Sequence, residues 1–238
     1  MELKKLPKIA LGAWAWGNDG TFGGSLSADD LRPVFEAGMK AGLNLWDTAY
    51  AYGMGASERV LGDFIKGYPR EDVILSDKFT PQCADPSAEN AVTELSLLNR
   101  SSETSGILDY CKEKDITFFS YMVLEQGALS GKYDTGHPFP ADSDRGAVYN
   151  PMLPQLEKLN ACLKEIADAH GAAAAQVPVA WAIAKGTLPI IGVTKVYQVE
   201  DAAKAVALRL SDEEITRMEQ LADEMQLDVI RYWEKEMK

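Results

Sequence analysis

A parallel α/β fold is the architecture this chain predicts, on two observations. Short apolar runs, Leu43 to Trp46 and Val73 to Leu75 among them, alternate with segments whose apolar residues recur at helical spacing. Runs of that length between helices read as strands buried in a parallel sheet. The second observation is the placing of polar residues: Asp47, Tyr52 and Lys78 each sit at or just past the end of such a run. In α/β folds chemistry gathers at the carboxyl ends of the strands.

The elements follow in order. Ile9 to Trp16 reads as a first strand, with Gly12 and Gly17 near its end. Ser27 can cap a helix running to about Ala41, with Asp29 and Asp30 in its positive first turn. Leu43 to Asp47 is a second strand. Ala56 to Lys66 is a helix, with Val60, Leu61, Phe64 and Ile65 at helical spacing. Val73 to Lys78 is a third strand. From Asp85 to Lys114 the sequence reads as helix, turn and helix, with no strand between. Ile116 to Val123 is the next strand, followed by a Gly- and Pro-rich loop from Ser130 to about Pro151. Helices are expected near Leu153 to His170 and Ala174 to Lys185. Leu188 to Val193 is the last strand, Tyr197 to Ala207 a helix, and Ser211 opens a long acidic helix that reads as a solvated face.

Five strands with helical crossovers imply a parallel sheet with right-handed connections. A closed (β/α)8 barrel needs eight strands and typically about 250 residues. By this count about three strand–helix units are lacking, and units of roughly 30 residues cannot be hidden between Asp85 and Lys114.

The 238 residues, 46% hydrophobic and 25% charged, suit one globular domain spanning 1–238. The net charge of −12 argues against a nucleic-acid partner, which needs a basic surface. Cys83, Cys111 and Cys162 are few and widely spaced, giving no zinc spacing and pointing to a reducing compartment. The N-terminus lacks the apolar stretch of a signal peptide, and no apolar run reaches a membrane-spanning length. The expectation is a cytoplasmic protein without membrane or metal partners.

Tyr52 beside Lys78 and Asp47 suggests a proton donor to a carbonyl oxygen. A nearby cation stabilises phenolate and would lower a pKa of about 10, while Asp47 holds the lysine charged and oriented. The bland alternative makes Asp47 and Lys78 a buried structural ion pair.

Taken together, these residues resemble the aldo-keto reductase superfamily over nearly the whole chain, in blocks 1–95 and 96–238. The signature Asp-Thr-Ala-x-x-Tyr-Gly appears as Asp47 to Gly53, followed by Gly55-Ala56-Ser57-Glu58. Ser76-Asp77-Lys78 resembles the family's lysine strand. Tyr121 to Lys132 fits a Tyr-Ser-Pro-Leu-x-x-Gly-x-Leu-x-Gly-Lys segment, with Met122 and Val123 in place of Ser and Pro. Leu188 to Lys195 resembles the phosphate-binding strand.

The resemblance implies a (β/α)8 barrel that here is incomplete, NADPH as cofactor in preference to NADH, no metal, and a small aldehyde or ketone as substrate. Tyr52 would be the general acid, with Lys78 and Asp47 easing its proton transfer. Gly12, Ala13 and Trp14 would lie beside the nicotinamide, and Trp14 and Tyr52 would also meet the substrate. Tyr121 would stack on the nicotinamide ring. Met122, Leu124, Gln126, Leu129 and Lys132 would line the pyrophosphate and ribose side. Ile191, Gly192, Val193, Thr194 and Lys195 would meet the adenosine phosphate, with Gln198 and Asp201 close by.

The departures are equally specific. The family's catalytic histidine, its fifth-strand Ser-Asn and its sixth-strand Gln have no counterpart. Thr93-Glu94-Leu95 resembles the family's third helix, and Ser96 to Arg100 the stretch after its sixth strand. Roughly 80 residues would normally lie between them, about three strand–helix units. Gln198 and Ala202 stand where the family often has Arg and Asn. His137 reads as a loop residue, and His170 as a helix-terminal residue favoured by the helix dipole. Trp14 and Trp16 alternate onto one face if the strand continues through them. Asn99-Arg100-Ser101 is a chance glycosylation sequon, and Cys83 is taken as inert. The exposed edges of an incomplete barrel leave self-association open. A non-catalytic remnant that at most binds nucleotide is the rival reading.

Overall fold

The computed structural model describes residues 5–78, 91–227 and 229. Its centre is a parallel sheet of six short strands. These are β1 (Ala10–Gly12), β2 (Leu45–Asp47), β3 (Ile74–Ser76), β4 (Ala91–Glu94), β5 (Phe118–Tyr121) and β6 (Leu188–Gly192). They lie in the order β3-β2-β1-β6-β5-β4. β1 and β6, the first and last strands described, are thus neighbours, as closure of a barrel requires, yet β3 and β4 end the sheet with no strand on their outer edges among the described residues. The six strands among the described residues are fewer than the eight of a closed barrel, so the sheet they form is open.

β4 corrects the sequence reading, which placed no strand between Asp85 and Lys114 and likened Thr93 and Glu94 to a helix. Four residues carry too little periodicity to declare themselves. What makes them a strand is pairing in register with β5, Ala91 against Phe118 through Glu94 against Tyr121. The helix expected from Asp85 begins outside the described residues, as does Cys83.

The helices match their signals more closely. α1 (Ala28–Lys40) starts at Ser27, whose hydroxyl accepts from the Asp30 N–H while the Asp30 carboxylate accepts from the Ser27 N–H. That reciprocal pair satisfies two orphan donors. α2 (Ala56–Ile65) buries Leu61 and Phe64, and Phe35 stacks on Trp46 at 4.9 Å between ring centroids. Two short helices, α3 (Ser101–Thr104) and α4 (Ile107–Glu113), precede β5. The expected loop after Ser130 contains a further short helix, α5 (Asp144–Tyr149), capped by Ser143. α6 (Leu153–His170), α7 (Gln176–Ala184), α8 (Val196–Ala205) and α9 (Asp212–Met225) complete the order. No helix among the described residues is long and apolar enough to cross a membrane.

The first strand is shorter than expected, because Trp14–Gly17 turn into a 3-10 helix. At three residues per turn, positions two apart do not share a face. Trp16 is therefore buried, its Nε1 donating to the Val193 carbonyl at 2.7 Å, while Trp14 is only half-buried. β3 is also less buried than a central parallel strand, with Leu75 38% exposed, because it is an edge.

α9 is not wholly a solvated face. Glu219 accepts from Lys185 at 2.8 Å and from Trp181 Nε1 at 2.9 Å, and pairs with Arg100 at 2.9 Å. Glu214 takes His170 Nε2 at 2.8 Å. Burial alone would raise both carboxyls, but the Ser211 N–H and His170 at Glu214, and Lys185 and Trp181 at Glu219, outweigh it and hold both below the usual glutamate range. Native Glu214 and Glu219 therefore bind fewer protons than the unfolded chain in the window below about pH 4.5. Their stabilisation is complete above that pH and is lost as pH falls through it. An acid titration followed by tryptophan fluorescence should show a midpoint that moves to higher pH in Glu219→Gln, which lacks this stabilisation; an unmoved midpoint, or one at lower pH, contradicts this account.

Candidate active site

The register of the sheet brings the ends of four strands level. Gly12 of β1 pairs with Asp47 of β2 and Gly192 of β6, and Asp47 pairs with Ser76 of β3. The residues that follow these ends, Ala13, Thr48 and Lys78, are consequently neighbours. A cavity of about 490 Å³ lined by Glu36, Lys40, Asn44 and Asp72 lies at the opposite, amino end of β2 and β3 and holds none of these groups.

Asp47 is 2% exposed, and its two oxygens have separate donors. Lys78 Nζ reaches Oδ1 at 2.5 Å and Ser76 Oγ reaches Oδ2 at 2.9 Å. Lys78 Nζ also donates to the Thr48 carbonyl at 2.9 Å. Burial raises the Asp47 carboxyl above the ordinary range, and the lysine charge and hydrogen bond work against that rise. A buried carboxylate persists only when paired in this manner.

Tyr52 lies beside this pair on the turn leading into α2. Lys78 Nζ sits over its ring, 5.1 Å from the centroid, and not against its hydroxyl. Trp14 stacks on the same ring at 5.5 Å between centroids, with planes 16° apart. Trp14 is itself fixed by an Nε1 bond to Asp19 at 2.7 Å and an edge contact with Phe22. The phenol is raised above its usual value by burial, and further by the negative charges of Asp47 and Asp19. This reverses the expected lowering. The lysine charge is taken up by Asp47 and the Thr48 carbonyl, leaving burial to decide the sign.

Ser57, quoted in the sequence signature without a role, holds the corner together. Fully buried, it donates to the Ala13 carbonyl at 2.8 Å and shares a hydrogen bond with Thr48 Oγ1 at 2.9 Å. It ties the start of α2 to the ends of β1 and β2.

The second group of expected residues lies across the sheet. Tyr121 ends β5 half-buried, and Met122, Glu125 and Gln126 follow in left-handed backbone conformation. Leu129, Ala13, Ile191 and Val193 are buried in the core, so only their backbone atoms could meet a ligand. Gly192 is exposed at the end of β6, with nothing within 4 Å of where a side chain would begin. Two of the expected contacts are engaged internally. Gln198 Oε1 accepts from the N–H groups of Thr194 at 2.7 Å and Lys195 at 2.9 Å, and Asp201 accepts from Gln176 at 2.8 Å. Lys132 lies over the Tyr133 ring at 5.0 Å. His137 is exposed beside Asp134, and His170 belongs to the α6–α9 contact, so neither histidine enters the site.

Residues 8–97 and 92–223 match the sequence model of the Aldo/keto reductase family. The chain belongs to that family. Among curated relatives it is similar to the chloroplastic pyridoxal reductase of Arabidopsis thaliana, 28% identical over 312 residues that cover 94% of this chain and 85% of the relative. It is also similar to an aldo-keto reductase of Gibberella moniliformis (strain M3125 / FGSC 7600), 24% identical with 100% and 98% covered. Both alignments are longer than the chain's 238 residues. The matched parts of those proteins therefore contain residues with no counterpart here. Among solved structures it resembles the glycerol dehydrogenase from Gluconobacter oxydans, with TM-score 0.75, 21% identity and 95% and 94% of the two chains covered. An aldo-keto reductase from Klebsiella pneumoniae in complex with NADPH gives TM-score 0.69 at 20% identity, with 91% of each chain covered. These structures establish the barrel-type fold of this family member.

Proposed function

We propose that this chain reduces a small aldehyde or ketone at the expense of NADPH, with Tyr52 as the general acid. The observation that carries the reading is the Asp47–Lys78 pair at 2.5 Å beside Tyr52, at the carboxyl ends of adjacent strands. A phenol raised by burial remains protonated through the neutral range, which is the form a proton donor needs. Lys78 and Asp47 hold the ring side of Tyr52, and the lysine charge lies close enough to offset phenolate as the proton leaves. Trp14 would form the wall against which the substrate lies.

The fit to a dinucleotide rests on the level ends of β1 and β6, with β5 paired beside β6. Gly12 and Gly192 leave side-chain-free backbone there, with open space before Gly192. Tyr121, Leu124 and Gln126 would hold the nicotinamide half, and Gly192 to Lys195 the adenosine half. NADPH supplies the hydride. Gln198 already uses two amide donors at the adenosine end, so a phosphate placed there must displace its carboxamide.

A second reading, a non-catalytic remnant that at most binds nucleotide, is favoured by the open edges of β3 and β4 and by the absence of a histidine from the site among the described residues. Quenching of tryptophan fluorescence by NADPH, followed by NADPH oxidation with a simple aldehyde, separates the two. Binding with turnover supports the reductase; binding without turnover supports the remnant. The absence of both binding and turnover removes the reductase and leaves a remnant that does not bind nucleotide.

A further inference from the structure

Among the described residues two acidic side chains are buried, Asp47 and Glu125. Asp47 belongs to the site above, whereas Glu125 stands in the turn after β5 with 0% exposure. Two distant parts of the chain converge on its carboxylate. Ser96, just beyond β4, donates its hydroxyl to Oε1, and Tyr149 at the end of α5 donates to Oε2 at 2.6 Å. Ser96 Oγ already accepts the N–H groups of Leu98 at 3.1 Å and Asn99 at 3.0 Å, so its own proton is committed to Glu125. Both carboxylate oxygens act as acceptors, the arrangement that suits an ionised glutamate.

The turn that carries Glu125 is unusual in its backbone. Met122, Glu125 and Gln126 are three of the seven left-handed non-glycine residues among those described, and they fall within five positions. Such a conformation persists only where the surroundings impose it. Glu125 N–H closes the turn on the Met122 carbonyl at 2.7 Å, and Gly127 N–H on the Leu124 carbonyl at 2.8 Å. From outside, Arg145 donates to the Gln126 carbonyl at 3.2 Å, while its guanidinium lies over Phe22 and Tyr133. From inside, the Glu125 carboxylate ties the turn to Ser96 and Tyr149.

We infer that Glu125 is a positioning residue for the dinucleotide: a buried anion that fixes the Met122–Gly127 turn, and with it the presentation of Leu124 and Gln126 at the end of β5. This rests on the reading that the turn meets the nucleotide. Glu125 itself touches none of it. Replacing the carboxylate by an amide keeps the volume but puts an NH2 group opposite one of two hydroxyls. Ser96 Oγ cannot accept a third donor without losing Leu98 or Asn99.

The test uses the full chain as wild type, Glu125→Gln and Tyr149→Phe, with far-UV circular dichroism as the check on folding. Two readouts are taken: amide hydrogen exchange over residues 122–129 without nucleotide, and the Kd for NADPH by fluorescence. Glu125→Gln should accelerate local exchange and raise the Kd about tenfold, while kcat at saturating NADPH stays within about threefold. Tyr149→Phe should move both readouts in the same direction by a smaller factor, and it serves alone if Glu125→Gln does not fold. A folded variant with wild-type exchange and wild-type Kd overturns the role of Glu125 while leaving the reductase reading intact. A wild-type chain that binds no NADPH overturns both, and is recognised without any variant.

Discussion

Tyr52→Phe is expected to lower carbonyl reduction by about 10²- to 10⁴-fold, the usual contribution of a positioned general acid. That corresponds to about 3–5 kcal/mol of transition-state stabilisation. The substitution removes one oxygen and keeps the ring that stacks on Trp14 and lies beneath Lys78. No hydrogen bond to the Tyr52 hydroxyl is present among the described residues, so its removal orphans nothing. NADPH affinity and thermal stability should therefore stay near wild type while kcat falls. The phenol also predicts the pH dependence. Its pKa lies above the ordinary 10, so Tyr52 remains a donor throughout the neutral and mildly alkaline range, and loss of its proton should not limit the rate below about pH 10. Equal turnover by wild type and Tyr52→Phe would show that the proton comes from elsewhere.

Gly53→Ala is expected to damage both stability and activity. Gly53 has φ of +66°, and a methyl group there would meet the Gly17 carbonyl oxygen at 2.0 Å. The reverse contact is also closed, since a Cβ on Gly17 would lie 2.5 Å from the Tyr52 carbonyl carbon. Two backbones thus touch at this point, and their contact seats the turn that carries Tyr52 against the end of β1. Backbone strain and the clash together should cost about 3 kcal/mol or more. In a chain of this size that is a fall of roughly 6–12 °C in Tm. The accompanying shift of Tyr52, if it approaches 1 Å, is worth about a hundredfold in kcat. Gly67→Ala is the control, because its backbone is not left-handed and the nearest atom to the added carbon, the Phe64 carbonyl oxygen, is at ordinary contact distance, 3.5 Å. Wild-type Tm and kcat in Gly53→Ala would mean that the approach of the two glycines does not seat Tyr52.

Much of this site was legible from sequence because its parts are local. The Ser27 cap, the strand ends at Gly12 and Asp47, and the lysine just beyond Ser76 each announce themselves through neighbours a few residues away. What escaped depends on partners far along the chain. β4 is a strand because β5 lies beside it, and four residues give no period strong enough to overrule a helical reading. Trp14 and Trp16 parted because a 3-10 turn replaced the last residues of the strand. Glu125 was invisible because its partners, Ser96 and Tyr149, are recruited from either side of it by the fold. The sign of the Tyr52 shift failed for an electrostatic reason. Adjacency to Lys78 is readable, but the sharing of that lysine's charge with Asp47 and the Thr48 carbonyl is set by distances that no spacing reveals.

Hydride transfer itself is the most direct test. NADPH carrying deuterium at the transferable C4 position should be incubated with the wild-type chain and a simple aldehyde, and the alcohol examined by mass spectrometry. The reductase account predicts one deuterium per alcohol molecule, formed in step with loss of NADPH absorbance. NADPH that binds yet delivers no deuterium to any alcohol would contradict it, and would leave a nucleotide-binding remnant of the barrel as the better description.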